Sequence, residues 1–316
     1  MTKTLLISKA MPDSVLRRAS QSYQLTVRET EASMSEAEVT SSLNSYDVLL
    51  PTLGDQFTAE AIRSSDPYCK LIANFGVGYN HIDVNAARDM GIVVTNTPGA
   101  VTDATADIAL TLILMTARRA GEGERLVRAG KWTGWQPTQM LGQHVTGKTI
   151  GIVGMGRIGQ AIADRCRLGF GCKIVFANRS KKQITGATQL HSVRDVAKAC
   201  DVLVAATPGG SETRHLINKS VFDDMQSHAI FVNISRGDVV DETALVTALE
   251  TGQIAGAGLD VYEHEPKVAS ALMALETATL LPHLGTAALE VRENMGHMAL
   301  DNIDAFMAGT PVPNPV

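Results

Sequence analysis

Short apolar runs alternate with amphipathic segments along the first hundred residues. Five runs rich in Val, Ile and Leu are typical of strands, and the segments between them repeat apolar residues every three or four positions, as helices do. The predicted strands are TLLIS (4–8), YQLTV (23–27), DVLLPT (47–52), LIANFG (71–76) and IVVTNT (92–97). Because strands and helices alternate, we expect a parallel sheet covered by helices on both faces.

A long apolar segment follows, and the alternation then starts again. Residues 97–127 open with Pro-Gly and predict one long, mostly buried helix with Thr102 as its N-cap. The later strand candidates are TIGIV (149–153), KIVFA (173–177), DVLVAAT (201–207), AIFVNI (229–234), GAGLDV (256–261) and TLLPH (279–283). The chain is therefore predicted to be an α/β protein of two doubly wound parallel-sheet domains, Rossmann-like or flavodoxin-like, with a cleft between them.

The composition argues against several classes of partner and site. A formal net charge of −5 and the lack of a basic tract argue against nucleic acid as a partner. The longest apolar run, residues 108–117, is too short to span a bilayer, and the N-terminal segment lacks an export signal, so we expect a cytoplasmic protein that binds no membrane. The four cysteines form no CxxC pair or His/Cys cluster, which predicts reduced thiols and no metal site.

The stretch GIVGMGRIG (151–159) holds a candidate dinucleotide site. Gly154, Gly156 and Gly159 form G-x-G-x-x-G between a predicted strand and a predicted helix. The first glycine permits a tight turn, the second lets the backbone approach a pyrophosphate, and the third lets helix and strand pack closely. In this context the motif predicts that the helix N-terminus binds the anion.

The end of the next strand bears on which dinucleotide is bound. An NAD site usually has an acidic residue there, whereas this chain has Asn178, Arg179 and Ser180, followed by two lysines. A carboxylate would repel a 2′-phosphate, and arginine can pair with it in a bidentate manner. We therefore expect NADP(H) to be preferred, with NAD(H) possible as an alternative cofactor.

Polar residues follow three of the later strand candidates. Arg236 follows AIFVNI, Asp260 and Glu265 lie at and after the end of GAGLDV, and His283 ends TLLPH. In an open parallel sheet, ligands bind beyond the carboxyl ends of the strands. A cation, a proton donor and a carboxylate that tunes the donor are what the reduction of a 2-oxo acid requires.

The chain resembles the D-isomer-specific 2-hydroxyacid dehydrogenases along essentially its whole length, and ANRS (177–180) and GKWTGWQP (130–137) are most similar to the glyoxylate/hydroxypyruvate reductase branch. The other matching segments are NFGVGYNHIDV (74–84), TPGAVTDATADIAL (97–110), GKTIGIVGMGRIGQ (147–160), NISRGDVVDETAL (233–245), GAGLDVYEHEP (256–266) and PHLGT (282–286). Together these motifs are highly specific for the family.

The resemblance implies roles for individual residues. Arg236 would bind the substrate's carboxylate and carbonyl, His283 would be the acid/base, and Glu265 would pair with His283. The N–H groups of Val77 and Gly78 would hold the carboxylate, with Leu53 as an apolar neighbour and Asp260 beside the nicotinamide carboxamide. The full set of implied cofactor positions is Thr105, Gly154, Gly156, Arg157, Ile158, Gly159, Asn178, Arg179, Ser180, Thr207, Pro208, Ile234, Ser235, Arg236, Asp260, His283 and Gly285.

The resemblance also implies a domain plan and an assembly. A substrate-binding domain would comprise 1–100 and 285–316, and the inserted NAD(P)-binding domain would comprise 101–284, its first helix (101–120) bridging the domains and a homodimer. Trp132 or Trp135 would either cover the substrate pocket of the partner subunit or pack in the dimer interface. His81 lies close in sequence to Val77 and Gly78, the loop expected to hold the substrate's carboxylate.

The expected activity is NAD(P)H-dependent reduction of glyoxylate or hydroxypyruvate to D-2-hydroxy acids, with hydride from C4 of the nicotinamide and His283 as proton donor. A 2-ketogluconate reductase or a broad 2-oxo acid reductase is the main alternative. A dinucleotide-sensing interaction protein without enzymatic activity shares this fold and remains a second alternative.

Overall fold

The computed structural model describes residues 2–316. It divides into two compact units, the first formed by the chain through residue 101 and from residue 286 onward, the second by residues 102–285. Each junction lies one residue later than the sequence predicted. At the second junction the reason is visible, because the N–H of Gly285 donates to the Asp260 carboxylate and so keeps Gly285 with the second unit.

The first unit is built on a five-stranded parallel sheet in the order β2-β1-β3-β4-β5. Alternate residues of β1 point to opposite faces, with Leu5 and Ile7 in one core and Leu6 in the other. The elements are β1 (Thr4–Ile7), α1 (Asp13–Ser22), β2 (Gln24–Val27), α2 (Glu36–Ser45), β3 (Val48–Leu50), α3 (Ala59–Arg63), β4 (Leu71–Ala73), α4 (Val84–Asp89), β5 (Val93–Thr95) and the C-terminal helix (Leu289–Met307).

The second unit is built on a seven-stranded parallel sheet in the order β12-β11-β10-β9-β6-β7-β8. A π-helical turn, Arg165–Gly169, extends α7. The elements are α5 (Thr102–Ala117), α6 (Ala120–Arg128), β6 (Thr149–Val153), α7 (Arg157–Asp164), β7 (Lys173–Ala177), β8 (Ala187–Gln189), α8 (Val193–Ala199), β9 (Val202–Ala205), α9 (Lys219–Asp224), β10 (Ile230–Asn233), α10 (Glu242–Glu250), β11 (Gly256–Leu259), α11 (Ser270–Ala274) and β12 (Ala278–Leu280).

The predicted fold class is confirmed: both sheets are parallel and doubly wound. The first has the flavodoxin-like strand order, and the second has the Rossmann order with one added strand at its β12 edge. In the Rossmann order the sheet's switch point lies at β6, because the chain moves from β6 to β7 on one side and later to β9 on the other. That is where such sheets bind ligands.

Two local predictions were wrong in detail, and one short strand was not predicted. The single long helix after residue 101 is two helices, because Arg119 has φ +51 and the carbonyl of Ala117 accepts the N–H of Gln143 instead of continuing the helix. Thr102 is the first residue of α5 rather than its N-cap. Strand β8 was not predicted, because three residues with one small apolar side chain carry no periodic signal.

Two further features concern the chain as a whole. Within residues 2–316, none of the helices is long and apolar enough to cross a bilayer. All four cysteines are buried and free.

Candidate active site

Three adjacent strands of the second unit bring the predicted polar residues to one edge. Arg236 follows β10, Glu265 follows β11 and His283 follows β12. These strands are neighbours in the sheet and run parallel, so their carboxyl ends share one edge. Arg236, Glu265 and His283 therefore lie at one edge of the sheet, although 47 positions of sequence separate the first from the last.

His283 and Glu265 form a direct pair. The ring nitrogen Nδ1 of His283 lies 2.8 Å from Oε2 of Glu265, and Oε1 of Glu265 accepts the N–H of Tyr262 at 3.0 Å. Both side chains are 31% exposed, so the pair is held firmly yet is open on one side. No described residue bonds Nε2 of His283, which makes this nitrogen the one available to a substrate.

The electrostatics keep Glu265 ionised. Burial alone raises the pKa of its carboxyl, but the hydrogen bond and charge of His283, the Tyr262 N–H and the charge of Arg236 together lower that pKa below its ordinary value. Above the ordinary pKa of a glutamic acid the carboxylate is therefore anionic, and it loses this charge only as the pH falls through the lowered pKa. An anion beside Nδ1 fixes the orientation of the imidazole.

His283 itself has a strained backbone, with φ at +55. Asp260 holds that conformation: its carbonyl accepts the His283 N–H at 2.9 Å, and its carboxylate accepts the N–H groups of Leu284 and Gly285 at 2.6 and 2.8 Å. Thr105 adds a bond to the Gly285 carbonyl. Strain persists only where the surroundings enforce it, and it is concentrated at functional sites.

Asp260 is almost completely buried, at 1% exposure. Burial raises the pKa of its carboxyl, and the Leu284 and Gly285 N–H groups offset part of that effect. Sequence reasoning placed Asp260 beside the nicotinamide carboxamide. In the structure both of its carboxylate oxygens bind the turn that carries His283, so its visible role is to position that residue.

Arg236 stands on a turn organised by Asn233. The side-chain oxygen of Asn233 accepts the N–H and hydroxyl of Ser235, and its amide nitrogen donates to the Arg236 carbonyl. The guanidinium makes one intramolecular bond, to the Ser235 carbonyl at 2.7 Å. No described residue accepts a hydrogen bond from its remaining donors, so a planar anion can be bound in a bidentate manner.

Burial lowers the pKa of the Arg236 guanidinium, while the charges of Glu265 and Asp238 oppose that shift. The group nevertheless stays positive at any working pH, because a guanidinium is effectively never deprotonated in proteins. The reciprocal effect of Arg236 and Glu265 on each other's pKa places the arginine within electrostatic reach of the His283–Glu265 pair.

Gly237 sets the spacing between the arginine turn and the carboxylate loop. A Cβ at this position would lie 1.8 Å from the Tyr262 carbonyl oxygen and 2.3 Å from the Glu263 nitrogen, both backbone atoms. Only glycine allows the two backbones to approach so closely. Gly237 thereby fixes Arg236 relative to Glu265.

We expect Gly237→Ala to lower the free energy of unfolding by about 1–3 kcal/mol, as overpacking does, and to reduce kcat/KM because the two loops must separate. Chemical denaturation and steady-state kinetics measure the two effects. Gly169→Ala is the matched control, since nothing lies within 4 Å of a Cβ there. A Gly237→Ala protein as stable and as active as the wild type would contradict the role given to this contact.

The glycine loop after β6 has the shape that a dinucleotide needs. Gly154 has φ +97, and a Cβ there would lie 2.7 Å from the Ala206 carbonyl oxygen; a Cβ at Gly159 would lie 2.2 Å from the Gly154 carbonyl oxygen. A Cβ at Gly156, in contrast, would meet no atom within 4 Å, and α7 begins there without a side-chain cap. The open space faces the free N–H groups of Arg157 and Ile158 in the first turn, so a pyrophosphate fits this loop.

At the end of β7, side chains form hydrogen bonds to the glycine loop. Oδ1 of Asn178 accepts the Met155 N–H at 3.1 Å, and Nδ2 donates to the carbonyl and hydroxyl of Ser180. Nζ of Lys182 donates to the Met155 carbonyl. Asn178 and Lys182 therefore connect the basic turn to the glycine loop.

Arg179 differs from its neighbours because its bonding partner lies on another loop, the one after β9. Nη1 of Arg179 lies 2.5 Å from Oε2 of Glu212, and both side chains are well exposed. Sequence reasoning did not anticipate this partner.

The other implied cofactor positions lie along the same edge of the sheet. Thr207 and Pro208 follow β9, Ile234 and Ser235 follow β10, and Gly285 follows β12. Thr105, in the first turn of α5, joins them through its bond to Gly285. Among the described residues, no group of His, Cys, Asp and Glu is arranged to hold a metal ion.

The loop Phe75–Gly78 in the first unit is fixed through its carbonyl groups. Nδ2 of buried Asn74 donates to the carbonyls of Gly76 and Gly78, both at 3.0 Å, and Asn96 donates to the Val77 carbonyl. The N–H groups of Val77 and Gly78 donate to no described residue, so they are available to an anion. Leu53, in the turn after β3, is 39% exposed.

Sequence reasoning missed three residues with visible roles here: Asn74, Gly237 and Glu212. Asn74 and Gly237 lie inside the motifs NFGVG and SRG, but their roles depend on contacts with other segments. Glu212 gave no signal, since a lone glutamate in a loop is usually solvated. His81 has its carbonyl bonded to the Phe57 N–H, and the structure assigns it no chemistry.

The chain is similar to known dehydrogenases and reductases along nearly its whole length. The family model described as the NAD-binding domain of D-isomer specific 2-hydroxyacid dehydrogenases matches residues 110–285. A glyoxylate reductase from Thermococcus kodakarensis is 40% identical over 321 residues, covering 99% of this chain and 96% of that protein. A glycerate dehydrogenase from Hyphomicrobium methylovorum is 37% identical, covering 97% of each.

Solved structures of similar proteins also match this chain along its length. An NADPH-dependent glyoxylate/hydroxypyruvate reductase from Sinorhizobium meliloti, solved with NADP and malonate, has a TM-score of 0.90 and 34% identity, and the match covers 100% of this chain and 97% of that one. A D-isomer specific 2-hydroxyacid dehydrogenase fold from Polaromonas superposes with a TM-score of 0.93 at 35% identity, covering both chains fully.

Proposed function

The chain belongs to the D-isomer specific 2-hydroxyacid dehydrogenase family, and we propose that it is an NAD(P)H-dependent reductase of small 2-oxo acids, glyoxylate and hydroxypyruvate first among them. One observation carries the proposal: the His283–Glu265 pair and Arg236 stand at the same sheet edge as a glycine loop shaped for a pyrophosphate. This arrangement supports the roles of His283 as proton donor and Arg236 as the cation in the proposed reaction.

The reaction needs a hydride for C2 of the substrate, which a bound reduced nicotinamide would supply. Nε2 of protonated His283 donates its proton to the developing alkoxide oxygen. Glu265 stays anionic and stabilises the imidazolium until that transfer occurs. Arg236 polarises the carbonyl and binds the carboxylate, stabilising negative charge as it develops.

The substrate's carboxylate has a second candidate site in the N–H groups of Val77 and Gly78. Two free N–H groups on a loop held by its carbonyls form an anion-binding concavity. The names of the relatives support a small substrate, because they are glyoxylate reductases and a glycerate dehydrogenase. Leu53 would border the substrate's C3 substituent.

A substrate panel tests the proposal. With NADPH or NADH in excess, we expect glyoxylate and hydroxypyruvate to be reduced with the highest kcat/KM, and 2-ketogluconate and branched 2-oxo acids more slowly. A profile led by 2-ketogluconate would favour the alternative reductase. Cofactor binding without turnover of any 2-oxo acid would favour a dinucleotide-sensing protein and overturn the enzymatic proposal.

The cofactor preference proposed here is for NADPH. It rests on the absence of an acid at the end of β7, where Asn178 already uses its side-chain oxygen to accept the Met155 N–H. An aspartate could accept the same N–H and would add a negative charge where a 2′-phosphate must lie. We expect Asn178→Asp to lower the ratio of kcat/KM for NADPH to that for NADH by about tenfold or more.

Steady-state kinetics with both cofactors measure that ratio. Asn85→Asp, a substitution on α4 of the first unit, is the control for an added charge and should leave the ratio unchanged. A wild-type enzyme that uses NADH as well as NADPH would remove the basis of the preference.

We also propose a homodimer in the cytoplasm. Trp132 and Trp135 are 53% and 80% exposed, and Leu141 of the same segment is 67% exposed, an amount of apolar surface that favours a protein interface. The four free thiols suit a reducing compartment. Light scattering on the purified protein gives the mass directly, and a monomer that stays monomeric at high concentration would contradict the assembly.

A further inference from the structure

The ion pair between Arg179 and Glu212 spans the switch point of the larger sheet. Arg179 follows β7 and Glu212 lies in the loop after β9, and these two strands flank β6, whose carboxyl end carries the glycine loop. The two side chains are 88% and 76% exposed, and their pairing atoms lie 2.5 Å apart. No other side-chain bond holds either of them among the described residues.

The other charged groups nearby are engaged differently. Lys182 donates to the Met155 carbonyl, and Arg214 pairs with Glu263. Lys181 is exposed on the same turn. Arg179 is therefore the cation of this turn whose counter-ion comes from another loop.

The Glu212 carboxylate lies beside a turn that carries no acid of its own at the end of β7. In NAD sites, an acid at the end of that strand accepts a hydrogen bond from the ribose 2′-hydroxyl and repels a 2′-phosphate. Here the carboxylate approaches the same basic turn from the β9 loop rather than from β7.

We propose that Glu212 is a specificity-determining residue for the cofactor. This rests on the NADPH preference proposed above, with Arg179 as the cation that binds the 2′-phosphate. Glu212 neutralises Arg179 and competes with the 2′-phosphate for its guanidinium, whereas a 2′-hydroxyl leaves the ion pair in place. Glu212 thereby limits the preference for NADPH and retains the use of NADH. Because exposed ion pairs are weak, the phosphate can displace the carboxylate, and the effect is modest.

Binding of adenosine fragments isolates this effect from catalysis. Calorimetry with adenosine 2′,5′-bisphosphate and with AMP compares ligands that differ in the 2′-phosphate alone, and fluorescence titration with NADPH and NADH extends the comparison to the whole cofactor. The variants are Glu212→Gln, Arg179→Ala and the double variant. Both positions are exposed, so the fold does not depend on them.

Removing the carboxylate should tighten binding of the bisphosphate by about two- to fivefold, the range of an exposed charge pair, with AMP little changed. In the Arg179→Ala background, Glu212→Gln should no longer have this effect. Asp223→Asn is the matched control, because it removes the same charge from the exposed Lys219–Asp223 pair. It should change neither affinity.

The outcomes separate the two proposals. One result is that Arg179→Ala weakens binding of the bisphosphate while Glu212→Gln changes nothing, or has the same effect with and without Arg179. The role of Glu212 is then overturned, and the contact of Arg179 with NADPH stands. If Arg179→Ala leaves bisphosphate binding unchanged, the contact itself is overturned. If Asp223→Asn matches Glu212→Gln, the effect is one of net charge, and the specific role is again overturned.

Discussion

Replacing His283 by asparagine is expected to lower kcat for the reduction of hydroxypyruvate by about 10²- to 10⁴-fold, the usual contribution of a positioned general acid. Asparagine tolerates the left-handed backbone that His283 adopts, so the turn held by Asp260 should survive. It cannot donate a proton to an alkoxide. KM should change little, because the proposed binding of the substrate's carboxylate by Arg236 does not involve His283. Steady-state kinetics over a range of pH measure both constants.

The pH profile distinguishes lost chemistry from lost structure. Because the proposed proton donor is His283, His283→Asn should change the pH dependence of reduction as well as its rate. On the acidic side, Glu265 remains anionic until the pH falls below the ordinary pKa of a glutamic acid, because its own pKa is lowered. An active His283→Asn enzyme with the wild-type pH dependence would refute the assignment.

The chain offers a matched control in a second histidine–glutamate pair. His215 also has a left-handed backbone, φ +50, and its Nε2 lies 2.7 Å from Oε1 of Glu263. It has no place in the proposed chemistry. We expect His215→Asn to keep kcat within a few-fold of the wild type.

The second large effect is expected from Arg236→Lys. The substitution keeps a positive charge but replaces a planar group of several donors by a point charge, so bidentate binding of the substrate is lost. We expect kcat/KM to fall by about 10²-fold or more, with kcat and KM both affected, because the proposed contact of Arg236 with the substrate forms in the ground state and strengthens in the transition state. Initial rates across substrate concentrations measure the two constants separately.

Arg194→Lys is the control for this arginine substitution, since Arg194 is exposed and pairs with Asp224 outside the candidate site. It should behave as the wild type. An Arg236→Lys enzyme within about threefold of the wild type in kcat/KM would show that charge alone suffices, and the bidentate role would have to be abandoned.

The fold could be predicted largely from the sequence because the strands of a parallel sheet are buried on both faces and appear as apolar runs. The run AIFVNI gave β10 to within one residue at its start, and GAGLDV located β11. Strand β8 and the break at Arg119 could not be predicted. The first has too few apolar residues, and the second depends on the bond from the distant Gln143 to Ala117.

The candidate site could also be predicted where it depends on strand ends, and not where it depends on tertiary contacts. His283, Glu265 and Arg236 could be proposed from their places after apolar runs, because parallel strands end at one edge. The parts that depend on tertiary contacts could not: the clearance that requires glycine at 237, the two carbonyls held by Asn74, and the approach of Glu212 to Arg179. None of these contacts leaves a periodic signal in the sequence.

Transfer of an isotope label tests the central claim most directly. Hydroxypyruvate would be incubated with the enzyme and NADPH that carries deuterium in both positions at C4, and the product would be analysed by mass spectrometry and chiral chromatography. The proposed reaction predicts D-glycerate with one deuterium at C2, formed in step with NADPH oxidation. Glycerate without the label, the L isomer, or NADPH oxidised without glycerate would contradict it.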